Sequence, residues 1–298
     1  MYSYITALLL IFRRDSASKA LWDETEINIS LRAYLILKCG KEEIANAIEF
    51  EEQEALTKKL ILGFPRHNLN PVLLFATWKG TAEIVDSLLL QGANPNAADE
   101  VGRTCLHLAA INGKMDISSL LLKHGANVDV FDKHHLATPL FCAAVSENSE
   151  GIKILLDFGA NINAGLHEYG VSALHCAVRA NSIANVEMLL KLGAIPNNVQ
   201  LFSETPLHTA ASMGFEECVK LLIDHGACLE VLMGSMKMTA LHLAAQDGNT
   251  ESVQYLVAGG ANIDSRNARG QSALHLAALA QSPETVEVLL KTGRTKVT

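Results

Sequence analysis

Seven glycines, Gly92, Gly125, Gly159, Gly193, Gly226, Gly260 and Gly293, recur at spacings of 33, 34, 34, 33, 34 and 33 residues. A fixed period in this range marks a chain built by stacking one supersecondary unit, because a single short helical hairpin cannot bury its apolar face alone. The unit is clearest from Glu204 to Ala227, ETPLHTAASMGFEECVKLLIDHGA. A Thr-Pro pair opens a short apolar helix carrying Leu207, Ala210 and Ala211, and Gly214 marks a turn. A second helix carries Cys218, Val219, Leu221 and Leu222 and stops at Gly226, where glycine takes the left-handed conformation without steric cost.

The opening recurs in the same frame as RTCLHLAA at Arg103, ATPLFCAA at Ala137, VSALHCAV at Val171, MTALHLAA at Met238 and QSALHLAA at Gln271. With Thr/Ser-x-Leu-His, a pair of small residues and Gly-Ala-Asn all in register, the stretch from about 68 to 298 resembles the ankyrin repeat. The resemblance implies an all-α solenoid of helix-turn-helix units with β-hairpin tips along one edge. Tips are expected at Asp99 to Arg103, Asp132 to Ala137, His167 to Val171, Leu201 to Glu204, Gly234 to Met238 and Asn267 to Gln271. At the turn between helices Glu147 replaces glycine in one repeat, and Asn181, which tolerates left-handed geometry, stands near it in the next.

Composition agrees with such an array. Of 298 residues 49% are hydrophobic but only 5% aromatic, which suits a core of leucine and alanine. The formal net charge is −8 and no block of basic residues occurs, so nucleic acid is an unsuitable partner. Six cysteines, Cys39, Cys105, Cys142, Cys176, Cys218 and Cys228, contain no C-x-x-C and no paired zinc spacing. Cys142 and Cys176 occupy one site in consecutive repeats, too far apart for a disulfide, so free thiols in a reducing cytoplasm are expected.

Ahead of the repeats, residues 1–20 hold the apolar run Ile5 to Phe12, too short for a membrane helix and lacking a preceding positive charge, so it reads as an ordinary terminal helix or a non-native start and not a signal. Residues 21–67 read as a helical cap or degenerate repeat, since Gly40 to Ile48 parallels Gly80 to Leu88 position for position. Residues 68–298 form seven repeats. The last ends with Arg294 and Thr295 where Gly-Ala-Asn is expected, and Leu274, Leu276, Val288, Leu289 and Leu290 are expected to face water there. That open face points to a piece of a longer protein.

His107, His175, His208, His242 and His275 share one position in the unit. Five copies argue against catalysis or metal binding. The resemblance implies that each ring bonds across the start of its helix to the Thr or Ser three residues earlier and ties neighbouring hairpins. His134, His135 and His167 fall on tips with no ligand partner at zinc spacing, and His124 and His225 fall in the last turn of outer helices, where a ring suits the helix dipole. No nucleophile elbow, zincin or P-loop motif occurs, so neither an enzyme nor a cofactor or metal site is expected.

What remains is surface. Partners of ankyrin proteins dock on the tips and on the exposed ends of the inner helices. The helix-end column reads Trp78, Ile111, Val145, Arg179, Ser212, Gln246, Leu279, and its first three members are apolar. Among the tips, Leu201, Phe202, Met236 and Met238 are apolar, flanked by Val231, Leu232 and Met233. Contiguous exposed apolar residues mark binding sites, so Trp78, Ile111, Val145, Leu201, Phe202, Met236 and Met238 are the candidate partner contacts. The function read from these features is a non-catalytic protein-binding scaffold in the cytoplasm.

The divergent cap, the repeat at Glu204 and the uncapped end are also similar to the cytosolic ankyrin region of insect transient receptor potential channels of the ankyrin subfamily, the pyrexia-like group. That similarity implies a membrane domain beyond Thr298 and an oligomeric channel. Two alternatives share the same array: an adaptor such as the substrate receptor of a ubiquitin ligase, and the targeting arm of an enzyme whose catalytic domain lies elsewhere.

Overall fold

A computed structural model describes residues 69–295, apart from Gly80, 134–136, Glu147 and 165–169. The terminal run 1–20, the cap at 21–67, Cys39, His134, His135, His167 and Glu147 lie outside the described residues. The chain folds as two compact units, Met1–Ala164 and Gly165–Thr298.

In the first unit the described residues form three helix pairs: α1 (Asn70–Lys79) with α2 (Ala82–Leu90), α3 (Cys105–Ile111) with α4 (Met115–Lys123), and α5 (Pro139–Val145) with α6 (Ser149–Asp157). In the second they form four: α7 (Ala173–Arg179) with α8 (Ile183–Lys191), α9 (Pro206–Met213) with α10 (Glu216–Asp224), α11 (Ala240–Gln246) with α12 (Thr250–Ala258), and α13 (Ala273–Leu279) with α14 (Pro283–Thr295). Within each unit, odd-numbered inner helices pack on inner ones and even-numbered outer helices on outer ones, which is solenoid stacking. Paired alanines such as Ala210 and Ala211, or Ala244 and Ala245, let inner helices approach closely, and Leu222, Val253 and Leu256 fill the space behind them; all are buried.

Sequence dictates the ends of each helix. Thr138 and Thr205 sit at N-cap positions with proline following at the first helical residue, where its missing N–H costs nothing. Thr205 Oγ1 accepts from the His208 backbone N–H at 3.4 Å. At the far end of the unit, Gly226 has φ +82°. Its N–H donates to the Ile223 carbonyl while the Ala227 N–H reaches the Leu222 carbonyl, each at 2.9 Å, so the last turn of α10 loses no hydrogen bonds as it stops. Asn181 takes the left-handed role in its turn, at φ +52°. Gly293 does not stop its helix, because α14 runs through it to Thr295.

The tips are tighter than hairpins of paired strands. Among the described residues they close by isolated bridges, Ala98 with Thr104 and Met233 with Met238, and no strand forms. At two tips an acceptor side chain shapes the turn: Asp99 Oδ1 accepts from Val101 and Arg103 N–H groups, and Asn267 Oδ1 accepts from those of Arg269 and Gln271. At another tip, only glycine fits at position 170, since an added Cβ would collide with the Val199 carbonyl.

A second ladder runs along the loops after the outer helices. Asn96 Oδ1 accepts from the Asn127 N–H at 2.7 Å and Asp129 Oδ1 from the Asn161 N–H at 3.0 Å. In the second unit Asn197 Oδ1 accepts from the Cys228 N–H at 2.6 Å and Glu230 Oε1 from the Asn262 N–H at 2.8 Å. Each side chain belongs to one repeat and each N–H to the next, so the polar loops register the stack that the leucines hold together.

Of the five residues expected to face water at the end of the second unit, Leu276 and Leu289 are buried, Leu274 and Val288 are half-buried, and Leu290 is exposed.

Candidate protein-binding surface

The repeated histidines form the best-defined polar geometry in the protein. Backbone N–H groups of Thr104, Ser172, Thr205, Thr239 and Ser272 donate to Nδ1 of His107, His175, His208, His242 and His275 at 3.1 to 3.3 Å. A nitrogen that accepts carries no proton, so the proton resides on Nε2. That Nε2–H donates to the next tip: from His107 to the Ala137 carbonyl at 2.9 Å, from His208 to Val231 and Met238, and from His242 to Ser265 and Gln271.

Burial lowers the pKa of His107, His208 and His242, against the opposing pull of those carbonyls, and pushes His175 down to about 4. For His175, the Glu204 and Asn198 carbonyls oppose burial only in part, and neither meets hydrogen-bond geometry with its buried Nε2. The rings of His107, His208 and His242 are neutral joints between repeats, and that of His175 is a neutral ring bonded to Ser172 at the start of its own helix. His275 keeps the contact with Ser272 but its side is exposed. The two outer-helix histidines sit at C-caps; His225 Nδ1 lies 2.9 Å from the Leu221 carbonyl and His124 Nε2 3.5 Å from Asp86.

The apolar candidates divide. In the first unit Trp78 is not on the surface: only 2% of it is exposed, and Asn112 Nδ2 donates to its carbonyl at 2.7 Å. An indole carries on the order of 200 Å² of largely apolar surface, and at the end of α1 it turns into the packed interior. Ile111 and Val145 are half-buried on the equivalent ends of α3 and α5. In the second unit Met238 is likewise interior, 5% exposed, with its sulfur facing Asn267 Nδ2. The bridge with Met233 turns its side chain under the tip. Met236 is half-buried, and the backbone of Leu201 opens a short 3-10 turn, Leu201–Ser203. Phe202 is 71% exposed and held at φ +63°, an uncommon conformation for a bulky residue.

Within the second unit these tips overhang an open groove of 770 Å³. Phe202, Met236 and Met238 line it from the tips and Leu243, Leu276 and Leu279 from α11 and α13; Glu204, Gln246 and Arg269 supply polar groups. Leu279 is 69% exposed. Sequence reading picks out the methionines and Phe202, and places Leu276 at the open end, but does not find Leu243 or Arg269, because the period assigns Leu243 to the core and says nothing about which side chains converge across tips and helices.

A family model described as ankyrin repeats (3 copies) matches residues 73–165, 135–200, 164–232, 194–267 and 228–298. The chain belongs to the ankyrin-repeat family. Ankyrin repeats are protein-interaction modules, and no catalytic family is indicated.

Among curated relatives, the transient receptor potential channel pyrexia of Drosophila melanogaster is 38% identical over 231 residues, covering 77% of this chain and 23% of that protein. Human transient receptor potential cation channel subfamily A member 1 is 29% identical over 218 residues, 71% of this chain and 19% of that protein. Human ankyrin repeat and SOCS box protein 11 is 39% identical over 104 residues, 33% of this chain and 31% of that protein. The chain thus matches under a third of the length of each. Among solved structures, the human ASB11 ankyrin repeat domain superposes with TM-score 0.64 at 32% identity, covering 74% of this chain and 96% of that one. The ankyrin repeat domain of Bcl-3 does so with TM-score 0.66 at 27% identity, over 73% and 97%.

Among the described residues no helix is long and apolar enough to cross a membrane, and no cluster of three or more His, Cys, Asp or Glu could hold a metal ion.

Proposed function

We propose that this chain is the cytosolic, protein-binding ankyrin arm of a cation channel of the transient receptor potential ankyrin type. The observation that carries the proposal is the extent of the similarity to pyrexia, 38% over 77% of the chain. That similarity runs through 231 residues, whereas the match to ankyrin repeat and SOCS box protein 11 covers 104. In this reading the arm contributes docking surface, with Phe202, Met236 and the half-buried Ile111 and Val145 as contacts to neighbouring subunits or to the membrane domain, and a separate apolar domain conducts the ions.

A second reading, a SOCS-box adaptor of the ubiquitin-ligase substrate-receptor kind, is favoured by the 39% identity to ankyrin repeat and SOCS box protein 11 and by the superposition on its repeat domain. Reading the transcript beyond the codon for Thr298 separates the two. Six apolar stretches of about 20 residues are expected for the channel; a SOCS box there overturns it in favour of the adaptor.

A further inference from the structure

The tips around Leu201–Ser203, Met233–Met238 and Asn267–Gln271 are joined edge to edge. The Gly234 N–H donates to the Phe202 carbonyl at 2.7 Å, and the Ala268 N–H donates to the Met236 carbonyl at 2.8 Å. Three loops thus make one continuous rim above the groove, and the rim presents Phe202 outward at a strained left-handed position. Such strain persists only where the surrounding structure enforces it, and it gathers at binding sites.

Rim and floor differ in chemistry. The floor is methionine and leucine, a polarizable surface that adapts to varied apolar side chains. The rim carries charge of one sign: Lys237 and Arg269 stand exposed on successive tips, Arg269 lining the groove itself, and neither side chain has an ion-pair partner among the described residues. The carboxylate that lines the groove, Glu204, is already occupied, accepting from Thr209 Oγ1 at 2.7 Å and lying 4.0 Å from the Arg179 guanidinium. A cationic rim on a chain of net charge −8 is a local reversal of sign. Docking that excludes water from such a rim strengthens each new charge pair and repels cationic segments, so the rim selects by charge.

We propose that this groove takes an acidic segment of a partner protein, whose leucine, methionine or phenylalanine side chains enter beside Phe202 and Met236 while its carboxylates meet Lys237 and Arg269. The proposal rests on the protein-binding reading above and adds the chemistry of the partner.

The test uses the whole chain and two fluorescent amphipathic peptides with identical leucine anchors, one bearing glutamates at the polar positions and the other lysines, with phosphatidylcholine vesicles with and without phosphatidylserine alongside. The glutamate peptide is expected to bind at least about ten-fold more tightly. That advantage is expected to shrink as ionic strength rises from about 0.01 M to about 1 M, where the Debye length falls from roughly 30 to 3 Å. Charge reversal by Lys237→Glu with Arg269→Glu, both at exposed tip positions, is expected to switch the preference to the lysine peptide, and Phe202→Ser to weaken both peptides. Equal binding of the two peptides, binding of neither, or a preference unmoved by charge reversal overturns the proposal. Attachment to phosphatidylserine vesicles in place of the glutamate peptide overturns it too and assigns the rim to lipid. A cellular partner that binds the wild type and the charge-reversed chain alike leaves the protein-binding reading standing and sinks the acidic-segment proposal alone.

Discussion

His208 Nε2 lies 3.2 Å from the carbonyl of Met238, thirty residues along the chain, while its Nδ1 accepts the backbone N–H of Thr205 at the start of its own helix. One ring therefore completes the N-terminus of α9 and fastens the tip of the following repeat. Replacing it, as in His208→Ala, strands the buried Thr205 N–H and leaves the Met238 carbonyl with the Met233 N–H alone of these two donors. The expected cost is about 2 to 3 kcal/mol of unfolding free energy by urea titration, with hydrogen-exchange protection lost chiefly at 231–238.

The buried histidines make stability depend on pH in a stated direction. The folded pKa of His175 is lowered to about 4 from an ordinary 6.5, with burial as the cause. Above pH 6.5 neither state binds a proton and stability is at its full value; as pH falls from 6.5 towards about 4 the unfolded chain takes up the proton that the folded chain refuses, and stability drops. The drop from this ring alone is about 3 kcal/mol. His107, His208 and His242 shift in the same direction and steepen the loss. Urea midpoints between pH 7.5 and pH 4 are expected to fall, and His175→Gln to flatten the curve. A pH-independent midpoint would falsify the neutral-joint assignment.

Burial also sets thiol chemistry. Cys105, Cys176 and Cys218 have their pKa pushed up to about 12, with desolvation as the leading cause, and Cys142 is buried; Cys228 is exposed. Among these five, brief treatment of the native protein with N-ethylmaleimide followed by mass spectrometry is expected to label Cys228 alone, and denatured protein to label all.

Trp78 offers a test of its interior placement. Its Nε1–H is buried and has no hydrogen-bond partner among the described residues. Trp78→Phe, which removes that stranded donor while keeping an aromatic ring, is expected to change stability by under about 1 kcal/mol, whereas Trp78→Ala is expected to cost about 3 to 5 kcal/mol. Equal and small effects in thermal melts would return Trp78 to the surface.

Neighbouring leucines of α10 are expected to differ. Leu222 is fully buried and Leu221 half-buried, so Leu222→Ala is expected to cost about 2 to 5 kcal/mol and Leu221→Ala distinctly less, with the junctions of α10 to α8 and α12 weakened first. Parallel urea titrations of the two variants provide the comparison.

Much of this was legible in the residues. Helix starts at Thr138 and Thr205 and the turn at Asn181 follow from short-range rules, because caps, prolines and left-handed residues act within three or four positions, whereas the histidine ties to the next tip, some thirty residues away, came from the family resemblance. The loop ladder through Asn96, Asp129, Asn197 and Glu230 left a weaker trace, since each acceptor stands four residues after its repeat's glycine and bonds an N–H some thirty residues away in the next repeat. Trp78 and Met238 were misplaced for a related reason. Register shows which column a residue occupies, yet a large side chain can turn inward from an exposed column when a neighbour leaves space for it.

The amino-acid sequence by itself determined the repeat, its period, the order of helices and the family, since each depends on local backbone preference and on apolar spacing within one unit. Only the tertiary structure decided which apolar residues stay wet and which polar ones meet. Phe202, Leu279 and Arg269 share one groove, with Lys237 exposed on the tip beside it, because three tips bond edge to edge, and such a convergence depends on how successive units stack, a relation that no single unit encodes.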